Sequence, residues 1–291
     1  MAGIPTWEYK GYTFPTQVKQ EALECIENME VFDDDIWLCT YPKSGTHWTM
    51  QILYLLQVDG DYEKMLGQGL GAKRLPPLEL CIDKPDGSIG YTYKKYEQLQ
   101  SPRLIVTHLP YALLPRQVFE KRTKIIYVAR NPKDTAVSMY HFFKPAMKKM
   151  NLDVDWNQFF QIFMSKKSPF GTWTQHVLPF WKRRNDENIL FLKFEDMKKD
   201  SLGSIRKIAA FTGRSTSTEV LQNIVTNSSP EKTKKTMVSD DADIQALSTG
   251  AFVRKGIIGD WKTHFTVAQS EQLDEVLQND LKETDLEMMF Q

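Results

Sequence analysis

Apolar residues along this chain form two alternating patterns, short continuous runs and stripes at helical spacing. The continuous runs are rich in β-branched and aromatic residues, which predicts strands buried on both faces. Four such strands are predicted, over residues 36–40, 103–107, 124–129 and 188–194. The stripes predict helices over residues 15–29 and 201–211, and further helices that begin near residues 46 and 134. This alternation predicts a single α/β domain over residues 1–291, with a central, mainly parallel sheet flanked by helices.

The first strand is followed by a turn that opens a helix. Gly45 supplies the backbone freedom that a sharp turn needs, and Ser44 and Thr46 are suitable N-caps. Lys43 adds a full positive charge to the unpaired N–H groups of the first helical turn, so the segment is typical of a P-loop-like phosphate- or sulfate-binding turn. It is not a Walker sequence, because the lysine precedes the glycine. A surface turn with an unrelated lysine is the alternative.

Three candidate residues directly follow three of the predicted strands. Lys43 comes after the first strand, His108 after the second and Arg130 after the third. Parallel sheets place ligands beyond the carboxyl ends of their strands. We therefore expect the three side chains to lie close together.

Residues 59–100 show a weaker pattern. Leu-Pro-Pro at 75–77 and Asp-Gly-Ser at 86–88 mark loops there. A long loop-rich stretch is typical of a binding lid or wall, and disorder would produce the same pattern.

The composition predicts a globular protein with a sizeable core. Basic and acidic side chains balance at 37 each and 41% of residues are apolar, which gives no indication of nucleic-acid binding. The amino terminus lacks a secretory pattern, and no apolar run approaches the roughly 18 residues of a membrane span. We therefore expect a soluble, cytoplasmic protein. Cys25, Cys39 and Cys81 are widely spaced and are interpreted as reduced core thiols, and no motif predicts a metal site.

Four segments carry a family resemblance. They are TYPKSGTHW at 40–48, THLP at 107–110, ARNPKDTAVSMYHF at 129–142 and RKGIIGDWK at 254–262. In order and spacing they resemble the cytosolic sulfotransferases that use 3′-phosphoadenosine 5′-phosphosulfate (PAPS), and the resemblance covers essentially the whole chain. It implies transfer of a sulfuryl group to a hydroxyl or amine without a metal, with 3′,5′-adenosine bisphosphate (PAP) as the second product.

The resemblance also implies roles for individual residues. His108 would be the catalytic base, and Lys43 would stabilise the leaving oxygen. Histidine suits the first role because its ordinary pKa is about 6.5, and a lysine donor suits the second. The residues expected to bind the donor nucleotide are Lys43, Ser44, Gly45, Thr46, His47, Trp48, Arg130, Ser138, Phe194, Ser228, Arg254, Lys255 and Gly256.

The chain departs from the family pattern at three positions. Val106 occupies a position where many members have a lysine that assists transfer. Pro230 ends a Ser-Ser-Pro segment that corresponds to Thr-Ser-Phe in the family, and Phe194 replaces a tyrosine often found near the adenine. An alternative hypothesis is therefore a donor-binding protein with little or no turnover. A nucleotide kinase is a further alternative, which the missing Walker glycine disfavours.

An aromatic-rich stretch lies between the motifs. Phe159, Phe160 and Phe163 share one face of a helix that Asp155 begins, which predicts core residues. The resemblance implies that Phe142, with His108, lines an apolar acceptor pocket. Such a pocket suits a small lipophilic acceptor such as a phenol, a steroid or an aryl amine, as in xenobiotic and hormone conjugation.

Residues 262–271 match the family's KxxxTVxxxE dimer motif. The matching positions are Lys262, Thr266, Val267 and Glu271, and the resemblance implies a homodimer. A local explanation stays open, because Thr266 and Gln269 also form a capping-box pattern at the start of a helix.

Overall fold

A computed structural model describes residues 5–67, 75–84, 86–236 and 255–291. The strands in these ranges are β1 Thr6–Tyr9, β2 Tyr12–Pro15, β3 Ile36–Thr40, β4 Cys81–Asp83, β5 Ile89–Tyr91, β6 Leu104–Thr107, β7 Lys124–Ala129 and β8 Ile189–Lys193. The α-helices are α1 Gln20–Glu27, α2 Thr46–Gln57, α3 Tyr62–Gly67, α4 Thr92–Glu97, α5 Arg116–Glu120, α6 Pro132–Lys149, α7 Trp156–Met164, α8 Trp173–Trp181, α9 Phe194–Lys199, α10 Ser201–Phe211, α11 Thr218–Asn227, α12 Pro230–Lys235 and α13 Val267–Leu281. Short 3₁₀ helices span Tyr111–Leu113 and Asp260–Thr263.

The centre of the fold is a parallel sheet of four strands in the order β6-β3-β7-β8. These are the four strands that the sequence predicts, and β3 and β7 have the predicted bounds. Strand β8 ends at Lys193, so Phe194 begins helix α9 instead of ending a strand. Because the strands are parallel, their carboxyl ends meet at one edge. The Lys43 turn, His108 and Arg130 all follow strands at that edge.

Helices cover both faces of the sheet. Trp37 and Cys39 of β3 lie in one apolar core together with residues of α1, α6 and α8. Leu38, between them in sequence, lies in a second core with residues of α2, α10 and α11. Successive strand residues point to opposite faces, and burial of both faces explains why the strands are continuously apolar.

Residues 59–100 contain more regular structure than the sequence predicts. Helix α3, an antiparallel hairpin of β4 and β5, and helix α4 lie in this stretch. The helix predicted over 15–29 is also shorter, because Pro15 ends β2 and pairs with Thr6 of β1. Elements of three to six residues carry too few positions for apolar periodicity to reveal them.

The three cysteines are free thiols, and the interpretation of all three as core residues is wrong. Cys39 and Cys81 are buried, whereas Cys25 is exposed. The reason is the orientation of α1, which buries Ala22, Leu23 and Ile26 and leaves Cys25 outside its buried face.

The described part of the chain lacks two features, a membrane-spanning helix and a cluster of metal ligands. None of its helices is both long and apolar enough to cross a bilayer. Nor does it contain a group of three or more His, Cys, Asp or Glu side chains placed to bind a metal ion.

Candidate active site

The segment between β3 and α2 makes a tight turn whose shape depends on Gly45. This glycine has a φ of +107°, and a Cβ built on it would lie 2.8 Å from Cδ2 of Phe194. A side chain here would therefore meet the Phe194 ring in a backbone conformation that L-residues rarely adopt. Gly45 is itself the N-cap residue of α2, so the expectation that Ser44 or Thr46 caps the helix is wrong.

The turn presents hydrogen-bond donors next to a lysine. The Oγ atom of Ser44 is buried and has no hydrogen-bond partner among the described residues. The first N–H groups of a helix have no partners within the helix and carry partial positive charge. Thr46 Oγ1, in contrast, hydrogen-bonds Thr40 Oγ1 over 2.7 Å. This set of donors fits a ligand group that carries negative charge on several oxygens.

The ring of His108, which follows β6, is hydrogen-bonded to the end of β3, the strand that leads into this turn. Its Nδ1 lies 2.8 Å from the carbonyl oxygen of Thr40. A carbonyl oxygen only accepts hydrogen bonds, so Nδ1 carries the proton and Nε2 keeps its lone pair. Burial lowers the pKa of His108 from 6.5 to about 4, and the charge of Lys43 acts in the same direction. The neutral imidazole therefore persists at physiological pH, in the tautomer that a base acting through Nε2 requires.

Lys43 connects the turn with the predicted acceptor side. Its Nζ lies 4.4 Å from the ring centroid of Phe142 on α6. Phe142 is half-buried, and so is Ser138, which lies one helical turn earlier on the same helix. Residues four positions apart share a helix face, so α6 carries both predicted contacts on one side.

Arg130 joins three parts of the site. Its Nη1 donates to the carbonyl oxygen of Lys43 over 3.3 Å, and its Nη2 donates to the carbonyl oxygen of Ile257 over 3.1 Å. The guanidinium also lies 4.7 Å from the ring centroid of Phe194. Arg130 therefore ties the lysine turn to the segment that follows Gly256, as expected for residues around one ligand.

Asp134 holds this second segment in place and was not predicted from the sequence. Its Oδ2 accepts from the Gly259 N–H over 2.9 Å, and its Oδ1 accepts from the Trp261 N–H over 3.0 Å. Asp134 Oδ2 also accepts from Asn131 Nδ2. The sequence carried one signal for this role, since Asp134 lies in the same motif as Arg130. A residue that binds a ligand is often oriented by its neighbours in the motif.

The other predicted residues of this segment differ in their placement. Lys255 forms a 2.7 Å ion pair with Asp260, so its ammonium is engaged within the protein. Gly256 has a φ of +62°, which accords with a close backbone turn. Arg254 lies outside the described residues.

Trp48 and Phe194 form an aromatic wall beside Arg130. Their ring centroids are 5.6 Å apart at an angle of 76°. Trp48 Nε1 donates to Ser228 Oγ over 3.4 Å, so three of the residues expected to bind the donor nucleotide lie together. Lys198, which the sequence did not single out, places Nζ 5.2 Å from the Trp48 ring. Burial and the charge of Arg130 both lower the pKa of Lys198.

The comparison with known proteins decides the family. Residues 33–285 match the family described as the sulfotransferase domain. The chain belongs to the sulfotransferase family. Sulfotransferase 1A1 of dog (Canis lupus familiaris) is 41% identical over 259 residues, which are 87% of this chain and 85% of the relative. The amine sulfotransferase of rabbit (Oryctolagus cuniculus) is 36% identical over 290 residues, 97% of this chain and 92% of the relative.

Solved structures confirm the predicted fold class. Mouse sulfotransferase SULT7A1 complexed with PAP has a TM-score of 0.75 and 32% identity, and the match covers 96% of this chain and 95% of that chain. Retinol dehydratase in a complex with retinol and PAP has a TM-score of 0.81 and 26% identity, with 98% and 93% covered. The expected enzyme class, a sulfotransferase, is confirmed with the fold.

Val106 and Pro230, two departures from the family pattern, differ in burial in this sulfotransferase. Val106 is 1% exposed and lies in the apolar core on the α2 side of the sheet. Pro230 is exposed and begins α12 directly after its N-cap, Ser229. Pro230 thus provides no aromatic ring at the position where the family segment has a phenylalanine.

Phe170 is a neighbour of His108 that the sequence did not assign to the site. The two rings meet edge to face with centroids 5.6 Å apart. Phe170 has a φ of +69°, and its N–H donates to the carbonyl oxygen of Thr13 on β2 over 2.6 Å. A non-glycine residue in this conformation is held there by its surroundings, and such residues are frequent near functional sites. No local pattern reveals this contact, because the residues involved are far apart in sequence.

The predicted dimer motif of the sulfotransferase lies on the surface at the start of α13. Thr266 is the N-cap of this helix and forms a complete capping box with Gln269, so the local explanation of the sequence pattern is confirmed. Val267, the first residue of the helix, is 75% exposed. Lys262 and Glu271 are also exposed.

Proposed function

We propose that this sulfotransferase transfers a sulfuryl group from PAPS to the hydroxyl or amine of a small lipophilic acceptor, such as a phenol, a steroid or an aryl amine. One observation carries the proposal. His108 directs Nδ1 at the Thr40 carbonyl and so keeps Nε2 as a lone-pair nitrogen, next to a turn that contains Lys43. Transfer from an anionic donor to a weakly acidic acceptor requires a neutral base and a cation in one site, and the charge of Lys43 acts on His108 here.

The donor end of the proposed site is made by the turn and its neighbours. When bound, PAPS supplies the sulfuryl group and a phosphate leaving group. The Ser44 Oγ, which no described residue hydrogen-bonds, and the first N–H groups of α2 fit its anionic oxygens. Arg130, with Ser138 and Arg254, would hold the 3′-phosphate, and Trp48 would stack on the adenine.

The acceptor end lies on the other side of Lys43. His108 Nε2 takes the proton of the acceptor hydroxyl or amine as the acceptor oxygen or nitrogen attacks the sulfur of the sulfuryl group. Lys43 stabilises the negative charge that appears on the leaving oxygen. The rings of Phe142 and Phe170, which contact Lys43 and His108, supply apolar walls for the acceptor. The rabbit amine sulfotransferase and the retinol and androsterone complexes of retinol dehydratase support acceptors of this class.

We also propose where the enzyme is located and how it assembles. The family resemblance supports a cytoplasmic protein and a homodimer through Lys262, Thr266, Val267 and Glu271. The exposed Val267 supplies an apolar contact that a partner would cover. No nucleic acid, membrane or metal is needed for the reaction in this form.

A labelled-donor assay with a panel of acceptors tests the function. The purified chain is incubated with ³⁵S-labelled PAPS and phenols, steroids or aryl amines, and labelled products are separated from the donor. We expect product with at least one class and thermal stabilisation by PAP, because a ligand that binds only the folded state raises the melting temperature. PAP stabilisation with no product from any class would support the alternative, a donor-binding protein, which the Val106 and Pro230 departures suggest.

A further inference from the structure

A buried carboxylate lies directly beneath the segment that carries His108. Glu79, in the segment before β4, is 0% exposed. Its Oε1 accepts from the backbone N–H of His108 over 2.9 Å, and its Oε2 accepts from Thr107 Oγ1 over 2.7 Å. One side chain therefore binds the last residue of β6 and the residue that follows it.

The opposite side of the His108 backbone is also held. His176 Nε2 lies 2.8 Å from the His108 carbonyl oxygen, so Nε2 is the donor. Its Nδ1 must then accept, and Tyr127 Oη donates to it over 2.8 Å. The N–H and the C=O of His108 are thus both fixed by buried side chains from other parts of the fold, while its ring is fixed by Thr40.

Glu79 is placed where a carboxylate is unfavourable for folding. Its surroundings include Cys39 on β3, Cys81 on β4 and Tyr96 on α4, none of which is charged at neutral pH. Burial raises the pKa of Glu79 to about 7, against the opposing effect of its hydrogen bonds with Thr107 and His108. None of the described residues places a cation against the Glu79 carboxyl group. A buried acid without a paired cation is a poor stabiliser, so the hydrogen bonds to Thr107 and His108 are its distinctive contribution.

We propose that Glu79 is a positioning residue that fixes the His108 peptide and thereby aims Nε2 at the acceptor. The inference rests on the proposed function of His108 as the base. Precision matters here because a misplacement of about 1 Å at a reacting group reduces rate by about a hundredfold. The Thr40 contact holds only the ring of His108, whereas Glu79 holds its backbone N–H and His176 holds its backbone C=O.

The test compares three variants with the wild type. Glu79→Leu removes both acceptors at similar size, Glu79→Gln keeps one acceptor oxygen for the His108 N–H, and Asp35→Asn weakens a different buried contact, the pair of Asp35 with Arg103. Turnover, the Michaelis constant for PAPS and PAP binding are measured together with thermal stability. We expect Glu79→Leu to lower turnover at least about tenfold and leave PAP binding within about twofold, because the donor contacts are untouched. Glu79→Gln should recover most of the turnover.

A readout without substrate separates this inference from the proposed function. The chain has five histidines, so the His108 imidazole signals can be assigned by comparison with His108→Ala. In NMR spectra of the free protein, the protonated Nδ1 of His108 should be retained in Glu79→Gln and Asp35→Asn but lost or exchange-broadened in Glu79→Leu. If the wild type makes no product from any acceptor, this spectral change still supports positioning, while the proposed function fails.

Two results would overturn the inference. One is a Glu79→Leu protein with wild-type turnover and an unchanged His108 spectrum. The other is a loss of turnover in Asp35→Asn equal to that in Glu79→Leu at equal loss of stability, because general destabilisation would then explain both. If Glu79→Leu does not fold, Glu79→Asp replaces it, since the shorter carboxylate cannot reach both donors. An unchanged His108 spectrum in Glu79→Asp would overturn the inference equally.

Discussion

The ring of His108 and the carbonyl oxygen of Thr40 are joined by a 2.8 Å hydrogen bond between the ends of two adjacent parallel strands. Thr40 is the last residue of β3, directly before the turn that contains Lys43. The contact therefore sets the tautomer of His108 and its distance from the proposed donor site at once. Any movement of the turn relative to β6 would change both.

Replacement of His108 by alanine should abolish transfer and spare nucleotide binding. A positioned base typically contributes about 10²–10⁴ in rate, so we expect turnover to fall by that factor. PAP should raise the melting temperature of the variant as much as that of the wild type, because His108 makes no contact with the Arg130 side of the site in the described structure. Near-normal turnover would remove His108 from the role of base.

Replacement of Arg130 by alanine should discriminate between nucleotides. Hydrogen bonds to charged groups contribute about 1.5–3 kcal/mol, so we expect PAP to bind about 10–100-fold more weakly. Adenosine 5′-monophosphate, which lacks the 3′-phosphate, should lose much less affinity. Isothermal titration with both nucleotides measures the difference. Arg184→Ala is the matched control, because Arg184 pairs with Asp285 on the surface. Equal losses for the two nucleotides would contradict the assignment of Arg130 to the 3′-phosphate.

The sequence predicted the elements with strong patterns and missed contacts between distant segments. Continuous apolar runs revealed all four central strands, and parallel topology then brought Lys43, His108 and Arg130 to one edge. Glu79 was missed because it lies in a stretch with no periodicity, although its two partners belong to a motif. Phe170 was missed as a neighbour of His108 for a related reason, since its position depends on Thr13 of the amino-terminal hairpin.

The buried His176 should make stability depend on pH. Burial lowers its pKa from 6.5 to about 3, so below pH 6.5 the unfolded chain binds a proton that the folded chain does not. Its contribution is therefore present above pH 6.5 and is lost as the pH falls towards about 3. His176→Gln keeps a donor for the His108 carbonyl and an acceptor for Tyr127 but does not titrate.

Urea unfolding at about pH 7.5 and about pH 5 measures this effect. We expect the unfolding free energy of the wild type to fall by about 2 kcal/mol more than that of His176→Gln over this interval. His108 titrates in the same direction but is present in both proteins, so the difference isolates His176. An equal fall in the two proteins would show that His176 does not remain neutral when folded.

A charge on Val267 should weaken self-association. Val267 is 75% exposed at the start of α13, and a dimer through the predicted motif would bury it. Val267→Glu would then place a carboxylate in an apolar contact, which is unfavourable without a partner. The dissociation constant from sedimentation velocity should rise at least about tenfold. Val276→Glu is the matched control, because Val276 is 37% exposed on the same helix and nine residues later, on about the opposite face. If both variants weaken the dimer equally, or neither does, the interface lies elsewhere on the surface.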